Sequence, residues 1–149
     1  MALQVELSIQ SRLENLELVQ MVLEEAMTHL GIEKKVSYEV GMAVREAVAN
    51  AIEHGNRSDP EKKVQVALEA QPGQLVVRIR DEGEGFDPRG VSDPLAPANL
   101  LQPGGRGILF MREFMDKIDY TFGLDGGTEI TLRKLLQGSN SLTDEEEGP

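Results

Sequence analysis

A carboxylate and a carboxamide stand four residues apart in the segment VREAVANAIEHGN, at Glu46 and Asn50. This spacing places both side chains on one face of a helix, about one turn apart. The carboxylate could act as a general base toward a hydroxyl, and the amide oxygen is a neutral ligand suited to Mg²⁺. A solvated edge of an amphipathic helix would explain the same pair. His54, beside the glycine that ends the helix, is typical of a capping or core residue and is assigned no chemistry.

A second group follows a run typical of a strand, in the segment DEGEGF, where Asp81 precedes Gly83 and Gly85. Glycines at such a place allow the backbone to approach a ligand closely, and a half-buried aspartate can accept a hydrogen bond from an exocyclic amine. A plain acidic turn would have the same sequence.

A third group, Gly104 to Gly107, contains Arg106 and precedes a helical pattern. Consecutive backbone amides at a helix N-terminus favour phosphate, through unpaired N–H groups and the helix dipole. A flexible linker before a helix is the alternative.

Hydrophobic periodicity predicts the elements that position these groups, in the order βααββ, loop, αββ. A strand over Gln4 to Ile9 precedes a helix that begins with a capping box at Ser11 and Glu14 and stops at Gly31. The polar pair lies in a second helix, from Lys34 to His54. The remaining predictions are strands at Val64 to Leu68 and Leu75 to Ile79, a loop or lid over 82–107, a helix from Ile108, and strands at Ile118 to Phe122 and Thr128 to Leu132.

This order predicts an α/β (α+β) two-layer sandwich, with one mixed, mostly antiparallel sheet and helices on a single face. Residues 1–136 would form one domain, and residues 137–149 an acidic, disordered tail.

Composition excludes several kinds of chemistry. The chain of 149 residues has no cysteine, so it forms no disulfide, thiolate zinc site or cysteine nucleophile. A formal net charge of −11 argues against direct binding of nucleic acid, whose affinity depends on Lys and Arg. No apolar run approaches the roughly 20 residues that a membrane span needs. We therefore expect a cytoplasmic protein that does not contact the membrane.

The three groups, in this order, resemble the N, G1 and G2 boxes of the GHKL ATPase superfamily. Within that superfamily, four stretches are similar to the bacterial anti-sigma-factor serine/threonine kinases: EAVANAIEHGN, DEGEGFDP, DPLAPANLL and GGRGILFMREFMD. The resemblance covers roughly Val5 to Lys134. It implies a Bergerat fold that binds ATP and Mg²⁺ beneath the lid.

The resemblance also implies a role for each matching residue. Glu46 would be the catalytic base, Asn50 would coordinate Mg²⁺, and Asp81 would bind the adenine amino group. The remaining residues would line the nucleotide pocket: Gly83, Gly85 and Thr128 around the adenine, and Gly105, Arg106 and Gly107 against the phosphates.

The function that the resemblance implies is an anti-sigma factor that is also a protein serine/threonine kinase. It would phosphorylate an anti-anti-sigma antagonist of the STAS type, sequester a sigma factor and form a homodimer. Two alternatives stay open: a catalytically silent, nucleotide-dependent partner-binding switch, and a detached histidine-kinase catalytic domain.

Overall fold

A computed structural model describes residues 3–83, 111–124 and 126–136. Their main elements are β1 (Gln4–Gln10), α1 (Asn15–His29), α2 (Lys34–Asn50), a π turn (Ala51–Gly55), β2 (Lys63–Gln71), β3 (Gln74–Arg80), β4 (Lys117–Phe122) and β5 (Thr128–Leu135). Residues 111–114 are also helical. None of the helices in these ranges is long and apolar enough to cross a membrane.

The five described strands form one sheet in the order β1-β2-β3-β5-β4, and every neighbouring pair is antiparallel. The predicted fold class is confirmed, with no parallel pair among these five strands. The hairpin of β2 and β3 turns at Pro72 and Gly73, and the φ of Gly73 is 77°. Glycine tolerates this left-handed conformation without steric cost.

The core lies between the two helices and one face of the sheet. Apolar side chains alternate along the strands, as in Val64, Val66 and Leu68 of β2, which are at most 2% exposed. The helical side of the core consists of residues at spacings of three and four: Leu16, Val19, Leu23, Ala26 and Met27 from α1, and Val40, Ala43, Val44, Ala47 and Val48 from α2. These spacings put one stripe of each helix in the core.

A half-buried ion pair connects α2 to β5. Lys134 of β5 lies 3.6 Å from the carboxylate of Glu39, and their side chains are only 14% and 22% exposed. The same Lys134 ammonium donates a hydrogen bond to the carbonyl oxygen of Phe114. This lysine therefore connects α2 to the segment that precedes β4.

The predicted capping box at Ser11 and Glu14 is wrong. Helix α1 begins at Asn15, and Glu14 makes no side-chain capping bond. The Ser11 hydroxyl is buried and donates instead to the carbonyl oxygen of Lys62, at 2.7 Å. Leu13, which precedes the helix, is 46% exposed.

The predicted second helix is α-helical only as far as Asn50. The five residues from Ala51 to Gly55 form a π turn, and the amide of Asn56 donates to the carbonyl oxygen of Ala51. A π turn contains one more residue than an α turn. The side chains after Asn50 therefore point in different directions from those they would have in a continuous α-helix. Such turns are frequent at functional sites.

Candidate functional site

Helix α2 presents Glu46 and Asn50 as a half-buried polar pair, while Ala47 and Val48 between them are in the core. Burial raises the pKa of Glu46 above its ordinary value of 4.5, and the nearby Glu53 carboxylate raises it further. The neighbouring His54 has the opposite, smaller effect. A raised pKa gives this carboxylate a greater affinity for a proton, which a general base requires. His54 itself is exposed, so it is not a core residue.

Asp81 follows the last residue of β3 and is only 6% exposed. Its Oδ1 accepts hydrogen bonds from the backbone amides of Gly83, at 2.9 Å, and Thr128, at 3.1 Å. Its own amide donates to the carbonyl oxygen of Thr128, at 2.9 Å. Three hydrogen bonds thus fix the position of this aspartate, and two of them use one carboxylate oxygen.

The second oxygen of Asp81, Oδ2, faces Gly55 at the end of the π turn. A Cβ atom at Gly55 would lie 2.2 Å from Oδ2, and no described residue donates a hydrogen bond to this oxygen. Burial is the main reason that the pKa of Asp81 is raised, whereas the amides of Gly83 and Thr128 favour the ionised form. Oδ2 is therefore the oxygen that is suited to accept a hydrogen bond from a ligand.

Three glycines surround Asp81 so closely that none has room for a side chain. A Cβ at Gly83 would lie 2.1 Å from the carbonyl oxygen of Gly55, and a Cβ at Gly127 would lie 2.8 Å from the carbonyl oxygen of Asp81. The amide of Gly127 donates to the carbonyl oxygen of Gly83, at 2.6 Å. The immediate surroundings of Asp81 are thus built largely of backbone, which glycine allows to approach closely.

The structure brings Asp81, Gly83 and Thr128 into one cluster, against the end of the helix that carries Glu46 and Asn50. Gly85, Gly105, Arg106 and Gly107 lie outside the described residues, as does most of the predicted lid. Sequence reasoning missed Gly55 and Asn56. The sequence pattern gives Gly55 only as the residue that ends the helix and Asn56 only as the start of a turn.

The donor chemistry of the described residues fits a nucleotide with Mg²⁺. Asp81 offers a carboxylate oxygen surrounded by backbone, and Asn50 offers a neutral amide oxygen on the adjoining helix. Mg²⁺ keeps several waters and is usually held by few protein ligands together with substrate phosphates. Within residues 3–83, 111–124 and 126–136, no group of three or more His, Cys, Asp or Glu side chains is placed to hold a metal ion.

The five-stranded antiparallel sheet with its helices forms an α/β sandwich, and the cluster around Asp81 lies at the end of the helix that carries Glu46 and Asn50. The family model of the histidine kinase-like ATPase domain matches residues 9–134. Curated relatives include the anti-sigma F factor of Bacillus cytotoxicus, 36% identical over 106 residues, and that of Geobacillus kaustophilus, 33% identical over 106 residues. Each match covers 70% of this chain and 73% of the relative. The chain belongs to the histidine kinase-like ATPase family.

Solved structures show the same fold at low sequence identity. The RsbU and RsbW domains of a Mycobacterium tuberculosis protein match with a TM-score of 0.66 and 20% identity, over 90% of this chain and 32% of that one. The SiaB–SiaC complex of Pseudomonas aeruginosa also gives a TM-score of 0.66, at 12% identity, over 89% of this chain and 88% of that one.

Proposed function

We propose that this chain is an anti-sigma factor with protein serine/threonine kinase activity. It binds ATP with Mg²⁺, phosphorylates a STAS-type antagonist and sequesters a sigma factor. The observation that carries the proposal is the buried carboxylate of Asp81. The amides of Gly83 and Thr128 hold its Oδ1, and its Oδ2 faces Gly55, shortly after the helix that bears Glu46 and Asn50. The relatives named anti-sigma F factors support the choice of partners.

Each described residue has a distinct role in this proposal. Asp81 accepts a hydrogen bond from the adenine amino group through Oδ2, beside the backbone of Gly55 and Gly83. Asn50 is the protein ligand of Mg²⁺, which when bound neutralises phosphate charge. Glu46 accepts the proton of the attacking serine or threonine hydroxyl. The hydroxyl oxygen bonds to the γ-phosphorus as the bond to the β-γ bridging oxygen breaks, and ADP leaves.

The roles of Gly85, Gly105, Arg106 and Gly107 stay predictions from the resemblance, because these residues are outside the described ranges. The homodimer is likewise a prediction. Sedimentation equilibrium of the full chain, with and without Mg·ATP, would measure the mass of the assembly directly.

Transfer from labelled ATP to a purified STAS-type protein tests the kinase assignment. The full chain is incubated with Mg·ATP and the candidate antagonist, and the labelled amino acid is identified after acid hydrolysis. We expect phosphoserine or phosphothreonine. Glu46→Gln should slow transfer by about 10²- to 10⁴-fold, the effect of losing a general base. Glu33→Gln, the same change at an exposed position before α2, is the matched control.

The same experiment separates the alternatives. A nucleotide-dependent switch without turnover would bind its partner equally well with Glu46→Gln and would transfer no phosphate. A detached histidine-kinase domain would give an acid-labile phosphoprotein. Absence of any acid-stable label at saturating Mg·ATP would refute the kinase proposal.

A further inference from the structure

Asn56 is a buried polar side chain, 1% exposed, to which the proposed reaction gives no role. Its Oδ1 accepts a hydrogen bond from the amide of Glu82, at 2.8 Å. Its Nδ2 donates to the hydroxyl of Ser11, at 2.8 Å, and to the carbonyl oxygen of Lys63, at 3.0 Å. Both N–H groups of the Asn56 side chain therefore donate a hydrogen bond, and its oxygen accepts one.

These bonds join three separate parts of the chain to the end of helix α2. Ser11 follows β1, Lys63 begins β2, and Glu82 comes directly after Asp81. The carboxylate of Glu82 also accepts a hydrogen bond from the amide of Lys63. The segment that carries Asp81 is therefore held to the helix end by Asn56 and to β2 by Glu82.

Asp81 is thereby fixed through the peptide units on both of its sides. On one side, its own amide donates to the carbonyl oxygen of Thr128 in β5. On the other side, the next amide, that of Glu82, donates to Asn56. Two anchored peptides fix the direction of the Cα–Cβ bond of Asp81, and from that bond the carboxylate reaches the amides of Gly83 and Thr128 that hold its Oδ1.

The backbone after Asn56 is strained. Arg57 and Ser58 have φ values of 52° and 57°, in the left-handed region that residues with a side chain rarely adopt. Such conformations persist only where the surrounding structure enforces them. Both residues lie in the short turn between Asn56 and Lys63, which the Asn56 side chain joins by a hydrogen bond.

We propose that Asn56 is a positioning residue for nucleotide recognition, which orients the Asp81 carboxylate relative to the helix that carries Glu46 and Asn50. The inference rests on the proposed function, since it assumes that Asp81 accepts a hydrogen bond from adenine. Asn56 does not touch the nucleotide. It acts by holding the Glu82 amide.

The test measures how strongly the full chain prefers ATP to purine riboside triphosphate, which lacks the 6-amino group. Equilibrium dissociation constants for both nucleotides with Mg²⁺ are measured for the wild-type chain and for Asn56→Ala, Asn56→Ser and Ser11→Ala. The wild-type preference should be roughly 10- to 100-fold, the effect of a hydrogen bond to a charged group. Both Asn56 variants should lose most of this preference.

The ratio of the two constants separates positioning from general destabilisation. Partial unfolding weakens the binding of both nucleotides equally, so it cancels in the ratio. Ser11→Ala removes a partner of the Asn56 side chain but leaves its bond to Glu82, so it should keep the wild-type ratio. In Asn56→Ser the side chain is too short to reach the Glu82 amide, but it leaves room for a water molecule to bond to the other buried groups. This variant therefore provides the measurement if Asn56→Ala does not fold.

Three results would overturn the inference. If the wild-type preference survives in a folded Asn56 variant, Asn56 does not position Asp81, although the proposed function stands. If Ser11→Ala loses the preference to the same extent, the effect is general loosening. If the wild-type chain shows no preference, the adenine role of Asp81 fails and the role of Asn56 fails with it.

Discussion

Alanine at position 55 would test directly the close approach between the end of α2 and the Asp81 carboxylate. The added Cβ would lie 2.2 Å from Oδ2 and 2.5 Å from Cγ of Asp81. Real Cβ contacts are longer than 3.0 Å, so one of the two groups must move. Gly55 is not among the residues with positive φ, so its backbone conformation accepts alanine. The cost of Gly55→Ala should therefore come from the contact with Asp81.

Two responses to this clash are available, and their energies differ. If the carboxylate turns away, Oδ1 loses its bonds from the amides of Gly83 and Thr128, each worth about 1.5–3 kcal/mol for a charged acceptor. If the helix end shifts slightly and Asp81 stays in place, overpacking costs about 1–3 kcal/mol. The second response is the cheaper one. We expect Gly55→Ala to lower the free energy of unfolding by about 1–3 kcal/mol.

A double-mutant cycle in urea isolates the contact. Gly55→Ala is measured in the wild-type background and in Asp81→Ala, which removes the carboxylate. Its cost should nearly disappear in the second background, which gives a coupling energy of about 1–3 kcal/mol. Gly41→Ala is the matched control, because its Cβ would lie 3.5 Å from Gln20 in ordinary contact, and it should be stabilising by about 0.5–1 kcal/mol. An equal cost of Gly55→Ala in both backgrounds would refute the reasoning.

Three further predictions concern the base, its pH dependence and the N-terminal network. Glu46→Gln should leave the dissociation constant for Mg·ATP near the wild-type value while transfer slows, which calorimetry checks. The Glu53 carboxylate raises the pKa of Glu46, so Glu53→Gln should lower that pKa. The acidic limb of the pH–rate profile for phosphoryl transfer should then move toward lower pH. A shift toward higher pH would contradict this. Ser11→Ala should lower the free energy of unfolding by about 1–3 kcal/mol, since the buried Nδ2 of Asn56 loses its acceptor and the carbonyl oxygen of Lys62 loses the hydroxyl donor. Glu14→Ala should have almost no effect on it; equal losses would restore the capping-box interpretation.

Local periodicity was sufficient to predict the strands and the buried faces of the helices. In β2, residues alternate between the core and solvent, so a period of two identifies the strand without any knowledge of its partners. A glycine just after the last turn also predicted the stop correctly: α1 ends at His29, and Gly31 two residues later has a φ of 71°, which suits glycine and few other residues. These features depend on residues close together in the sequence.

The remaining features depend on residues far apart in the sequence. Ser11 matches a capping box in its local pattern, but its hydroxyl bonds to Lys62 and Asn56, which are 51 and 45 residues away. An asparagine after a helix is usually a solvated cap, and only the fold shows that Asn56 is buried. The π turn is equally hidden, because an extra residue in a single turn changes the hydrophobic period too little to detect.

The π turn explains how Gly55 and Asn56, which sequence reasoning missed, come to contact the segment that carries Asp81. In a continuous α-helix the amide of Asn56 would bond to Ile52, but here it bonds to Ala51. The extra residue rotates the end of the helix relative to Asn50. Gly55 then meets the carboxylate of Asp81, and Asn56 meets the amide of Glu82. These two adjacent residues thus allow the end of β3 to approach the π turn closely and hold it there, because Gly55 leaves room for the carboxylate and Asn56 bonds to the next amide.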